Sequence, residues 1–355
     1  MEIRQLQNQI RTLIELDETD SPIVSYFLDC EDPDAPQVLR ERAIAARKAV
    51  DRSQREDLER TLDRIENHVT GELGASTRSV AIFARSGSSP LFTALEFEAT
   101  LPTQMFVDPL PTIFPLVQLK DNYHRYVLMI CNEESARILE VSLGSVTREV
   151  WARRPELRER VGREWTKLHY QNHRRDRSER FVKEKIALLE RIFASGGHSH
   201  LMLAGNTQIL ARVRKALPKA LADRLVDAVP ASSRDRSTDV VVATLSSFLE
   251  HEERESQAAV GLLRRELRRG GLATCGYRDS RAALERGQAD LLVLLADEAE
   301  AAGSQAEELV RLAVQADVHV EVVQDSDELE ALGGVGCLLR YETWDEPLHA
   351  AEDAA

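Results

Sequence analysis

SRAALERGQADLLVL, residues 280–294, changes from helical to strand character in a single short stretch. Ala, Leu, Glu and Arg fill its first half, whereas Asp290–Ala296 (DLLVLLA) is a continuous apolar run of the kind a buried strand presents. The same alternation continues on both sides. LATCGY (Leu272–Tyr277) reads as a strand before it. After it come a helix over Ser304–Ala316, a strand over His319–Gln324, a helix over Asp327–Gly333 and a strand over Gly336–Tyr341. Strands and helices alternating at this spacing predict a three-layer α/β/α domain. A long helix over Val240–Arg269 leads into it and stops at Gly270-Gly271.

Upstream, Arg125–Cys131, Ala136–Gly144 and Val146–Trp151 read as three strands of a meander. Val182, Ile186, Leu189 and Phe193 then recur as one apolar helix face, followed by a strand over His200–Asn206 and a helix from Thr207. Ala231–Asp239 reads as a linker. In the first region, Ser21–Asp29 reads as a buried strand and Gln37–Leu73 as one long helix with Leu58, Leu62, Ile65 and Val69 on its apolar face. Ser79–Arg85 and Leu91–Thr100 read as strands joined by the turn Ser86–Pro90, and the proline-punctuated stretch Pro102–Pro115 as the way out of that domain. The fold class expected is α/β, with three α/β domains in tandem: 1–122, 123–237 and 238–345, with a loose tail over 346–355.

At 355 residues the chain exceeds one ordinary core. Its composition, 43% hydrophobic and 30% charged, is that of a folded, soluble protein. No run approaches the roughly 18 apolar residues of a membrane span. The start, MEIRQLQNQIRTLIELDETD, has no signal-peptide character, so a cytoplasmic protein without membrane contact is expected. Cys30, Cys131, Cys275 and Cys337 lie far apart, which argues against a disulfide framework or zinc ribbon and for buried small hydrophobes. The formal net charge of −14 opposes unselective binding to a polyanion, so any nucleic-acid contact has to be local. Between Glu285 and Glu330 two arginines face thirteen carboxylates, a stretch expected to meet water or a protein partner.

Against that background stands LHYQNHRRDRSERF, Leu168–Phe181. Read as a loop, it offers Arg174, Arg175, Arg177 and Arg180 to phosphates, since guanidinium groups present a planar fork of donors. His169, Tyr170, Gln171 and His173 suit stacking and hydrogen bonding beside RNA. The plainer alternative is a solvated surface loop. Arg47, Lys48, Arg52 and Arg55 place a second set of cations on the first long helix, where the alternative is an ordinary charged helix face. A metal site built from His169 and His173, or from His198 and His200, is disfavoured because no carboxylate or cysteine sits at ligand spacing and Arg174 and Arg175 repel a cation. Gly333-Gly334-Val335-Gly336 precedes a strand and ends no strand-to-helix turn, so it reads as a helix C-cap and close packing instead of a phosphate loop. No cofactor is expected.

Gly333–Tyr341 (GGVGCLLRY) resembles the GGIGxxLRY ending of archaeal and eukaryotic class I peptide-chain release factors and Pelota, and Ser280–Leu294 resembles a helix-then-strand element of their third domain. Arg125–Trp151, Arg180-Phe181 with the helix after it, Leu201–Gly205 and Phe106–Ile130 extend the similarity upstream. The similar branch is the divergent bacterial one of Balon-like ribosome-hibernation factors. This resemblance implies a ribosome-binding protein in the acceptor site, with rRNA and P-site tRNA beside the 168–180 tip. It also implies small-subunit RNA beside Arg47, Lys48, Arg52 and Arg55, and a translational GTPase such as elongation factor Tu at the C-terminal domain. Two departures shape the activity expected. Aligning on Arg180-Phe181 puts Arg174, Arg175 and Asp176 where release factors carry Gly-Gly-Gln, and AARKAVDRSQRED (Ala45–Asp57) stands where they carry Asn-Ile-Lys-Ser. The expectation is therefore a non-enzymatic factor of hibernation or stress protection. The alternatives are a rescue enzyme acting on peptidyl-tRNA through Gln171, His169 or His173, and a non-ribosomal stress adaptor that keeps the fold.

Overall fold

The computed structural model describes residues 3–87, 89–132, 135–153, 167–195, 198–232, 235–299 and 305–341, and of residues 151–153, 167–179 and 298–299 the backbone alone. The chain is mixed α/β, with three sheets, and divides into two compact units: Ile3–Asn122 with 252–341, and Tyr123–His251.

The first unit begins with α1 (Ile3–Ile14), which buries Ile3, Leu6, Ile10 and Leu13 on one helical stripe. There follow β1 (Ile23–Asp29), α2 (Ala35–Ala49), α3 (Arg55–Gly71), β2 (Ser79–Arg85), β3 (Leu91–Phe97), β4 (Gln104–Asp108) and α4 (Phe114–Asn122). The strands form an antiparallel sheet in the order β3-β2-β1-β4. Val24, Leu28, Val80, Ile82 and Met105 of the sheet close a core with Leu39 of α2 and Leu58 and Ile65 of α3. Two expectations change here. The stretch Gln37–Leu73 is two helices, because Val50 turns extended and the Gln54 amide donates back to Asp51, breaking the ladder in a segment rich in turn-forming Asp and Ser. Pro102–Pro115 is no plain exit: Gln104–Asp108 pairs with β1, its flanking prolines lying outside the ladder.

The second unit contains β5 (Tyr126–Cys131), β6 (Ser135–Ser142), β7 (Ser145–Arg153), α5 (Lys167–Ala194), β8 (His200–Gly205), α6 (Thr207–Ala216), α7 (Lys219–Ala222) and β9 (Leu225–Pro230). The sheet order is β7-β6-β5-β8-β9, an antiparallel meander continued by parallel β8 and β9. Leu143 and Gly144, both at positive φ (48° and 73°), make the two-residue β6–β7 turn whose twist matches the strands. One face of the sheet packs Val127, Met129, Ile138, Leu201 and Leu203 against α5 and α6. The other packs Tyr126, Leu128, Leu139 and Met202 against Val240, Val241 and Phe248 of α8 (Ser237–Arg269). There the Tyr126 and Phe248 rings stack at 4.6 Å.

From Glu252 onward α8 belongs to the first unit, and β10 (Ala273–Cys275), α9 (Tyr277–Glu285), β11 (Ala289–Leu295), α10 (Gln305–Gln315), β12 (His319–Val323), α11 (Asp327–Glu330) and β13 (Val335–Leu339) follow. The sheet runs β10-β13-β11-β12, with β11 and β12 parallel and β13 antiparallel to its neighbours. Val260 and Leu263 of α8 pack on Val293 and Val323. The glycines are spent on backbone. Gly333 and Gly334 adopt positive φ just past α11, and a Cβ on Gly336 would lie 2.7 Å from Leu263 Cδ2 and 2.8 Å from the Thr274 carbonyl.

Within the same unit α4 is tied to the C-terminal elements by two buried carboxylates. Glu307 of α10 accepts from the Ile113 and Phe114 amides (2.9 and 3.0 Å), the uncapped start of α4, and pairs with Arg311 at 3.3 Å. Asp121 accepts from the Val322 amide at 2.7 Å. Burial drives the Glu307 carboxyl up to about 7, with the two amides and Arg311 pulling the other way. One of the carboxylates expected to meet water or a partner is thus an internal fastener. The cysteines also diverge: Cys131 and Cys337 are buried, but Cys30 is exposed and Cys275 half-exposed.

Candidate nucleic-acid interface

The basic segment is helical. Lys167–Ala194 forms the continuous helix α5, so the expectation of a loop over 168–180 is overturned. The reason is compositional: no Gly or Pro occurs from Lys167 to Ser195, and Leu, Gln, Arg, Glu, Lys and Ala dominate. Charge density marks a surface segment; it does not mark a loop.

The C-terminal half of α5 is fixed by its apolar stripe. Phe181, Val182, Ile186, Leu189, Ile192 and Phe193 are buried against the sheet. Arg180, Lys183, Glu184 and Arg191 are exposed on the other side, and the Lys185 ammonium lies 5.0 Å from the centre of the Phe181 ring. The fourteen residues Lys167–Arg180 precede the first core residue, about 20 Å of helix at 1.5 Å per residue. His169, Tyr170, Gln171, His173, Arg174, Arg175 and Arg177 lie on that half. Their side chains fall outside the described residues, so the RNA-contact assignment carries forward on sequence.

At the other end of α5 the structure gathers charges that sequence did not single out. Glu140 of β6 stands 3.1 Å from Arg148 of β7, 3.2 Å from His198 Nε2 and 3.8 Å from Arg125. The His198 side chain is buried, its ring edge-on to Phe193, over which the Arg224 guanidinium also lies. Burial, seconded by Arg125, holds His198 below the ordinary imidazole range against the pull of Glu140. The signal in sequence was an acid inside the apolar alternation ARILEVS. Such a residue needs a countercharge once buried. His198 and His200 do not converge: His200 packs edge-on to Phe248, on the α8 side of the sheet.

The second cationic set divides. Arg47 is bound bidentately by Glu59 (2.7 and 2.9 Å), which raises the guanidinium's proton affinity and lowers that of the carboxyl. Lys48, Arg52 and Arg55 are exposed around the break between α2 and α3. Among the described residues they make no ion pair, and they stand at one end of the helix pair.

Residues 111–248 match the model of bacterial archaeo-eukaryotic release factor family 10, a span covering β5–β9, α5 and the start of α8. Over that span, well under half of the chain, the sequence is similar to the bacterial branch of the archaeo-eukaryotic release factors. Among solved structures, the archaeal translation termination factor aRF1 is 16% identical, with 96% of this chain and 99% of that chain covered and a TM-score of 0.29. Archaeoglobus fulgidus Pelota is 16% identical over 74% and 80% of the two chains, TM-score 0.39. Saccharomyces cerevisiae Dom34, described as a translation termination-like factor involved in RNA quality control pathways and interacting with Hbs1, is 14% identical over 75% and 81%, TM-score 0.45. No curated protein matches the chain. Among the described residues no helix is long and apolar enough to cross a membrane.

Proposed function

We propose that the protein occupies the acceptor site of the ribosome as a hibernation or stress-protection factor and does not release peptide. The observation that carries this reading is the continuity of α5. Residues 174–176, aligned with the Gly-Gly-Gln of release factors, stand inside an uninterrupted helix without a glycine. A hydrolytic tip needs backbone close to the tRNA end at angles that glycine tolerates, and Arg-Arg-Asp in helical geometry offers none of that. By sequence the same segment supplies cations and aromatic groups for rRNA and the P-site tRNA end. Lys48, Arg52 and Arg55 serve the decoding side, and the acidic C-terminal part meets a translational GTPase such as elongation factor Tu.

The test is co-sedimentation of the purified chain with ribosomes carrying labelled peptidyl-tRNA. Retention of the label with the bound chain is expected. Prompt peptide release or clipped tRNA would transfer the assignment to the rescue enzyme, with Gln171, His169 or His173 as its agents. Absence of co-sedimentation at low salt would leave the non-ribosomal adaptor. Replacing Arg174, Arg175 and Arg177 by alanine should weaken binding and reduce its logarithmic salt slope by about 2–3, since each phosphate contact contributes roughly 0.7–0.9.

A further inference from the structure

Beside the first sheet, on the side of α3 away from the α2–α3 break, lies an open hollow of about 460 Å³, within the usual size range of small-ligand sites. Its floor is aromatic. The Phe92 ring, half-buried on β3, carries the Arg64 guanidinium 4.3 Å from its centroid, and His68 meets it edge-on at 5.3 Å. A guanidinium stacked on one ring keeps its second face free, and planar groups of low hydration settle there. The rim carries the acceptors Asp63, Asn67 and Glu72, with Asp63 and Asn67 exposed and the Glu72 side chain 70% exposed, beside one further cation, Arg60, which is paired with Asp57 of its own helix. His68 Nδ1 is 2.7 Å from Glu72 Oε2, a contact that places the ring proton on Nδ1 in the neutral imidazole. His68 Nε2 is then a further acceptor, buried without a hydrogen-bond partner among the described residues.

A stacking platform edged by acceptors selects its ligand. Asp63 and Glu72 balance the charges of Arg60 and Arg64, so the hollow has no net positive charge with which to hold a free phosphate or sulfate. They favour a flat, aromatic group whose edge donates hydrogen bonds. We propose that the Arg64–Phe92 hollow binds an unpaired nucleobase bearing an exocyclic amino group (adenine, cytosine or guanine) and discriminates against uracil, which lacks one. The base slides over the outer face of Arg64 and donates its amino protons to the Asp63, Asn67 and Glu72 side. The acceptor-site assignment is not needed for this step. The site recognises a base, whether a nucleotide of single-stranded RNA or a free mononucleotide supplies it.

The experiment uses the full chain carrying the Arg174, Arg175 and Arg177 alanine replacements, so that α5 does not contribute, and no ribosomes. Fluorescence anisotropy is read with end-labelled hexa-adenylate, hexacytidylate and hexauridylate. Hexa-adenylate and hexacytidylate should bind more tightly than hexauridylate. Arg64→Ala should weaken the former about tenfold, the scale of one lost base stack. Arg64→Lys, which keeps the charge and loses the plane, should behave like Arg64→Ala, with unchanged thermal unfolding showing that the exposed site still folds. Competition by AMP at concentrations comparable to hexa-adenylate would identify free nucleotide as the source; competition only by the oligomer would identify RNA. Equal binding of the three oligomers, full affinity in Arg64→Lys, or no binding at all would overturn the proposal.

Discussion

Replacing Glu307 by glutamine removes a buried proton-binding group while keeping its shape and one acceptor for the α4 amides. In the folded chain the Glu307 carboxyl titrates near 7, against an ordinary value of 4.5. Between those two pH values the folded state holds a proton that the unfolded state has released. Stability conferred by this group is therefore full below pH 4.5 and falls as pH rises towards 7. At about 1.4 kcal/mol per pH unit the loss amounts to about 3 kcal/mol. Its cause is desolvation, which outweighs the two amide bonds and the pair with Arg311. Glutamine mimics the protonated acid and escapes that loss. Urea titrations followed by far-UV circular dichroism at pH 5, 6, 7 and 8, taken as wild type minus Glu307→Gln, cancel the titrating groups that do not interact with Glu307 and leave its own contribution together with its coupling to Asp108 and Arg311. The difference should move by about 2.5 kcal/mol in favour of the variant from pH 5 to 8. Parallel curves over that range would refute the desolvation argument and make the clasp an ordinary charged cap.

Other consequences are open to direct measurement. Glu140→Ala leaves Arg125, Arg148 and His198 facing one another without their carboxylate and should cost about 3 kcal/mol in thermal or urea unfolding, with Glu140→Gln recovering part of it. Phe248→Ala empties a fully buried ring site against Tyr126 and should destabilise the second unit by about 3–5 kcal/mol, seen as faster amide exchange in β5 and β8. Gly336→Ala forces a Cβ into Leu263 and the Thr274 carbonyl; about 1–3 kcal/mol of destabilisation is expected, and a neutral melt would show that β13 shifts freely.

How far sequence leads depends on whether the governing contacts are local. The C-terminal alternation was legible element by element, because Asp290–Ala296 is an apolar run and His319–Gln324 a β-branched one, each beside helix formers, and the strands β11 and β12 match them to within a residue at each end. The Val182–Phe193 stripe on α5 was legible for the same reason. The strand β9 was not: LVDAVP is short, half-buried and ends in proline, and only its parallel pairing with β8 makes it a strand. Arg174–Arg180 was misread as loop because charge tells of solvent, not of backbone. Glu140, Glu307 and the Arg64–Phe92 hollow have no local signature. Each takes its environment from residues distant in sequence: Glu140 meets His198, Glu307 caps Ile113, and Phe92 comes from a strand outside α3.

The first unit is discontinuous, and that has a consequence for its synthesis. Ile113 and Phe114 emerge some 190 residues before the side chain that accepts their amide protons, and Asp121 some 200 before its Val322 partner. At roughly 5–20 residues per second, β1–β4 close locally within seconds, while the first turn of α4 waits a further ten to forty seconds for α10 and β12. During that interval the second unit, encoded between them, has time to fold alone. A chain cut short before α10 should therefore keep its first sheet and its middle unit and leave α4 unfastened.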